Sequence, residues 1–209
     1  MGLRESKKLR IRQEIADKAM QLFVARGFDH VTVGEVAAAA DISEKTVFNY
    51  FPTKEDLFFD EVPEREAALV ESIRGRKPGE SIVAAVRRLQ SDQCPRMCTP
   101  SFATFARIIE ESQALKAKEL EIMARFTEAL ATAIRDELGV HELDARIAAN
   151  VLVGVHWQFF RNARALALAG RTGPAAVKRL RADLERAYRL LEHGLGELER
   201  EVAPDVTST

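Results

Sequence analysis

The segment Val33 to Phe51, VGEVAAAADISEKTVFNYF, constrains the fold more than any other part of this chain. Thr32 precedes Glu35 at the spacing of a capping box: the hydroxyl can accept from the third helical amide while the carboxylate reaches back to the threonine amide, which predicts a helix over 33–40. Asp41-Ile42-Ser43 then breaks the pattern. Asp tolerates a left-handed turn, and Ser43 is a good N-cap for a second helix over 44–51, stopped by Pro52. Two short helices across such a turn have the length and punctuation of a helix-turn-helix, whose second helix lies in the major groove of DNA.

Nothing in the rest of the chain reads as a strand. Ile11, Ile15, Ala19, Leu22 and Phe23 recur at helical spacing, with Ser6 as N-cap and Gly27 as a left-handed stop, so a helix is expected over 7–26. Thr53 caps the next helix, running through Leu57 and Phe58, and Pro63 restarts it toward Leu69 and Ile73. Further helices are expected at 81–92, 101–113, 115–138, 142–169 and 174–198, punctuated by Gly139, Gly170 and Gly173-Pro174. The reading is all-α: an N-terminal three-helix helix-turn-helix domain over 1–60, a helical bundle over 61–200 and a frayed tail over 201–209.

The composition of the second short helix fits a surface that meets DNA. With Val47 and Phe51 facing inward, Glu44, Lys45, Thr46, Asn49 and Tyr50 are left on or near the outer face. Lys and Asn can reach base edges, Thr and Tyr hydroxyls suit phosphate oxygens, and Lys54 can neutralise a phosphate. Phe48 is either core or a contact for a thymine methyl. A net charge of -1 counts against nucleic acid only as a sum, because Arg4, Lys7, Lys8, Arg10 and Arg12 face Glu5 alone at the N-terminus, an arm that could reach phosphate or a minor groove.

Over TVGEVAAAADISEKTVFNYFPTKEDL, preceded by a helix ending in LFVARGF, the sequence resembles the tetracycline-repressor (TetR) family of bacterial regulators. That resemblance implies Thr46, Tyr50 and Lys54 on phosphates and Glu44, Lys45 and Phe48 facing bases; Thr32, Ser43 and Asn49 are added as further DNA-binding candidates. The chain departs from the family pattern where Asp41 replaces the turn glycine, Lys45 replaces a second glycine and Phe48 replaces a tyrosine. The family resemblance further implies a dimeric repressor on a palindromic operator, released by a small-molecule effector in the larger domain.

Beyond residue 60 the residues speak less. Phe102, Phe105, Ile109, Met123, Phe126, His156, Trp157, Phe160 and Arg161 are candidate effector contacts, combining aromatic bulk with polar groups in an apolar setting. Val151, Val155 and Phe159, with Leu180, Leu184, Leu191 and Leu195, form apolar stripes suited to a homodimer of four packed helices. Cys94 and Cys98, read as lying in a loop or helix entry, offer a thiol-based redox sensor as an alternative. No metal ligands, cofactor motif, nucleophile with its base or phosphate loop is recognisable, so neither a cofactor nor an enzyme is expected. No run approaches a membrane span and no secretion signal is seen, so the expected setting is cytoplasmic, without membrane partners.

Overall fold

A computed structural model describes residues 3–194. Among them are ten helices and no strand: α1 (Leu3–Arg26), α2 (Val33–Ala39), α3 (Glu44–Tyr50), α4 (Lys54–Phe58), α5 (Val62–Arg74), α6 (Ile82–Met97), α7 (Pro100–Glu111), α8 (Gln113–Leu138), α9 (Glu142–Leu168) and α10 (Pro174–His193). The all-α expectation and the helix-turn-helix at 33–51 are both met. The chain divides into two compact units. The first takes the chain through Arg65 together with Thr104–Ile122; the second takes Glu66–Ala103 and the chain from Met123 onward.

In the first unit α1 packs on α2 and α4, and α2 on α3. Its core is aromatic: the Phe58 ring lies 6.1 Å from Phe23, 6.0 Å from Phe28 and 4.7 Å from Phe105, with the last pair stacked at 11°. Ile15, Ala19, Val36, Val47 and Phe51 complete it. Both capping signals predicted for the helices within 33–51 form. Thr32 Oγ1 accepts from Glu35 N while Glu35 accepts from Thr32 N, and Ser43 Oγ accepts from Thr46 N. Asp41 adopts φ 54°, the left-handed turn expected where the family pattern has glycine, and Gly27 ends α1 at φ 84°.

Several boundaries differ from the sequence reading, three of them at predicted site residues or caps. Helix α1 begins at Leu3, so Ser6 is inside it and is no N-cap; Leu, Arg, Glu and Lys are good helix formers and carry the element past that signal. Helix α6 continues to Met97, which places Cys94 in its last turns and Cys98 at its C-cap, where a loop was expected. Pro95 lies inside these last turns and brings no amide donor to them. Helix α10 is described to His193, and Leu195 and the tail lie outside the described residues.

In the second unit α6, α9 and α10 pack on one another. Their common core holds a buried polar chain: Tyr188 Oη donates to Gln90 Oε1 at 3.1 Å, and Gln90 Nε2 lies 3.0 Å from His156 Nδ1. The hydrogen bonds set one another. With its carbonyl oxygen taken by the phenol, the Gln90 amide presents its N–H to His156, whose Nδ1 therefore accepts. Phe126 and Phe160 flank the imidazole at 5.9 and 4.9 Å. Burial pushes the Tyr188 phenol up, so it stays a donor. Replacing Tyr188→Phe leaves Gln90 Oε1 without that donor, and urea unfolding should register a loss of about 1–2 kcal/mol.

Candidate nucleic-acid interface

Helix α3 is held from within. Val47 and Phe51 are each 1% exposed, and the Ser43 and Thr46 hydroxyls lie 2.8 Å apart at the helix start. This leaves Glu44, Lys45, Phe48 and Asn49 exposed and Thr46 and Tyr50 half-buried. Phe48 is 46% exposed, so the core alternative for this residue is excluded within the chain. Thr32 and Ser43 both cap helices, and both remain exposed while doing so. Gly34 makes room for the first residue of α3: a Cβ there would lie 2.6 Å from Glu44 Oε1.

Two cations that the sequence offered to phosphate are tied into the unit. Lys54 Nζ donates to the carbonyl oxygens of Phe28 and Val31, each at 3.0 Å, and stands 4.1 Å from the Phe28 ring centroid. An ammonium has three protons, so most of its donor capacity closes the turn between α1 and α2. Arg12 Nη2 donates to Asp60 O at 2.6 Å, and its guanidinium lies 4.8 Å from the Phe51 ring centroid and 3.8 Å from Glu64. Arg12 therefore fastens α1 to the end of α3 and the α4–α5 junction. Lys7, Lys8 and Arg10 are exposed, with Arg10 3.5 Å from Glu14; the Arg4 side chain lies outside the described residues.

Two carboxylates of this unit are shifted in opposite directions. The Glu35 carboxyl is lowered to about 2 by the Thr32 amide and the Arg26 guanidinium it accepts from. Asp60 is raised to about 6, first by burial and then by Glu61, against the opposing pull of Arg12.

The candidate effector residues do not form one set. Phe105 and Ile109 belong to the first unit, where Phe105 stacks on Phe58. Phe102, Met123, Phe126, His156, Trp157, Phe160 and Arg161 belong to the second, in which Phe126, His156 and Phe160 meet; Phe102 is buried, Met123 and Trp157 are half-buried, and Arg161 is exposed. The dimer stripe also divides. Phe159, Leu180 and Leu184 are buried in the chain's own core, so they face inward rather than toward a second chain; Val155 and Leu191 are half-buried, and Val151 is exposed. Sequence spacing could not separate an inward from an outward stripe. It also missed Arg12 as a tie, Gln90 and Tyr188 as a buried pair, and the exposed apolar residues Leu143 and Ile147 that continue from Val151.

Residues 15–60 match the family of bacterial regulatory proteins called the tetR family. The chain is 31% identical over 85 residues to the HTH-type transcriptional regulator TcmR of Streptomyces glaucescens, covering 41% of this chain and 38% of that protein. It is 43% identical over 54 residues to the HTH-type transcriptional regulator LuxR of Vibrio harveyi, covering 26% of each. The match thus spans well under half the length of these relatives. Among solved structures, Thermus thermophilus FadR, a TetR-family repressor in complex with lauroyl-CoA, superposes with a TM-score of 0.53 at 23% identity, covering 95% of this chain and 98% of that one. At that identity the likeness is one of fold.

The Asp60 shift gives a pH signature. Its folded value lies above its ordinary 3.8, so stability is fully present below about pH 4 and is lost as pH rises through about 6. Asp60→Asn should stabilise the protein at pH 8 by about 1 kcal/mol or more and lose that advantage at pH 4, a difference that thermal melts at the two pH values would record.

Proposed function

Because this chain belongs to the TetR family of bacterial regulatory proteins, we propose that it binds a specific double-stranded DNA operator through α3 and acts as a repressor that an effector releases. One observation carries the reading. A short, capped helix turns Val47 and Phe51 inward and exposes Lys45, Asn49 and Phe48 side by side. Lys45 and Asn49 are suited to base edges, Phe48 to a thymine methyl, and the Thr46 and Tyr50 hydroxyls to phosphate oxygens.

A single helix of this length reads few base pairs, and two-fold pairing doubles the readout. A homodimer supplies it, with half-sites about 34–36 Å apart or at a multiple of a helical turn. The exposed face of α9 suits the second copy. Leu143, Ile147 and Val151, at 59%, 54% and 46% exposure, follow one another at four-residue steps on one helix face. Release follows from differential affinity: an effector that prefers a conformation with misplaced recognition helices weakens DNA binding by the same coupling. The effector lodges in the second unit, near Phe126, His156 and Phe160. The thiol-sensor alternative loses its support, because Cys94 and Cys98 are both buried and burial pushes Cys94 up to about 11, far from a reactive thiolate.

Selection from a random-duplex library should enrich one two-fold symmetric motif, and no preference for any duplex would sink the reading. Lys45→Ala should shift which motif is enriched, whereas equal losses on operator and random DNA would place Lys45 on the backbone. Ile147→Glu should turn a dimer into a monomer in sedimentation velocity and weaken operator binding together with it; an unchanged dimer would remove this face of α9 from the interface.

A further inference from the structure

The unit that carries α3 is not made from the N-terminal residues alone. Residues 104–122, the end of α7 and the start of α8, belong to it as well, although they lie far beyond the segment 15–60 that matches the family. This corner joins the helix-turn-helix through three contacts of different kinds. Phe105 stacks on Phe58, closing the aromatic core. Ser112 Oγ donates to Asp29 Oδ1 at 2.8 Å, in the turn between α1 and α2. Lys118 Nζ pairs with Asp56 Oδ1 at 3.1 Å, in the first turn of α4.

Two of these contacts use a group that is already closing a helix end. Asp56 Oδ2 accepts from Thr53 N at 3.0 Å and from Thr53 Oγ1 at 2.8 Å, forming the capping box of α4, while its other oxygen takes Lys118. Ser112 Oγ accepts from Leu115 N at 3.4 Å at the start of α8 while donating to Asp29. The pair is sheltered: the Lys118 and Asp56 side chains are 18% and 25% exposed. From α4 the connection runs on through Lys54, whose ammonium holds the Phe28 and Val31 carbonyls, to Thr32, the N-cap of α2. Helix α2 packs on α3.

We propose that Lys118, seconded by Ser112, is a positioning residue for DNA binding: it orients the capping carboxylate of Asp56 and so sets the pose of α3. The inference rests on the reading of α3 as the recognition helix. Lys118 itself touches no DNA.

The test uses the full chain, with the wild type's enriched operator as probe. Lys118→Met keeps the stem and removes the charge; Lys118→Arg keeps the charge; Glu121→Gln removes the lysine's other partner, 3.2 Å away, and leaves Asp56 alone. Stoichiometric titration fixes the active fraction of each variant, so the Kd is read on folded protein only. The expectation for Lys118→Met is a Kd weakened about five-fold with the wild-type salt slope, a change of the size that coupling between sites produces. Lys118→Arg and Glu121→Gln should keep the wild-type Kd. Hydrogen exchange should quicken over 53–59 in Lys118→Met and stay unchanged over 82–97. A wild-type Kd for Lys118→Met overturns the proposal, and so does a salt slope lowered by about one, which would make Lys118 a phosphate contact itself. If the wild type shows no duplex preference, the DNA reading fails and takes the role of Lys118 in binding with it, while the exchange result still tells whether the pair holds the α4 cap.

Discussion

A helix of seven residues is almost all ends. The first four amides and last four carbonyls of any helix lack partners within it, and an isolated helix this short is unstable in water. Helices α2, α3 and α4 exist because each start is closed by a side chain, Thr32, Ser43 or Thr53, and because each buries apolar residues such as Val36, Val47 or Leu57. This division leaves the outer face of α3 with no structural duty. Lys45, Phe48 and Asn49 are exposed on that face, as the proposed DNA contact requires.

Cations of this unit split into two kinds. Lys54 and Arg12 turn toward carbonyl oxygens and aromatic rings inside the unit, where each replaces water with fixed acceptors. Lys7, Lys8, Arg10 and Lys45 stay exposed. A count of basic residues therefore overstates the charge offered to phosphate, because part of it is spent on joining α1, α4 and the turns. The same inward cations explain how three short helices keep one arrangement: each tie fixes a turn, which local propensity alone leaves loose.

The helix-turn-helix was legible because its signals are local. A capping box, a left-handed Asp41 and the N-cap Ser43 each act over a few residues, and the structure reproduces all three. What escaped was long-range. Ser112 meeting Asp29, or Lys118 meeting Asp56, leaves no mark in the spacing of either residue. Stripes misled for a related reason: Leu180 and Val151 both recur at helical intervals, yet one is buried in the chain and the other exposed. Periodicity identifies a face without saying what covers it.

On the proposed reading the second unit meets the opposite demand, since packed cores switch between discrete states rather than deforming smoothly. Alanines at 85, 149, 163 and 176 are fully or nearly buried on α6, α9 and α10, and such small residues let helices approach closely without locking their register. The Tyr188, Gln90 and His156 chain supplies the lock. Sliding α10 by one turn would part the phenol from Gln90 and leave buried polar groups unpaired, at about 1–3 kcal/mol each. If the proposed effector shifts these helices, it must either offset that cost with hydrogen bonds of its own or preserve the chain while moving α6, α9 and α10 together. The buried polar residues therefore restrict which helix motions a bound molecule can drive.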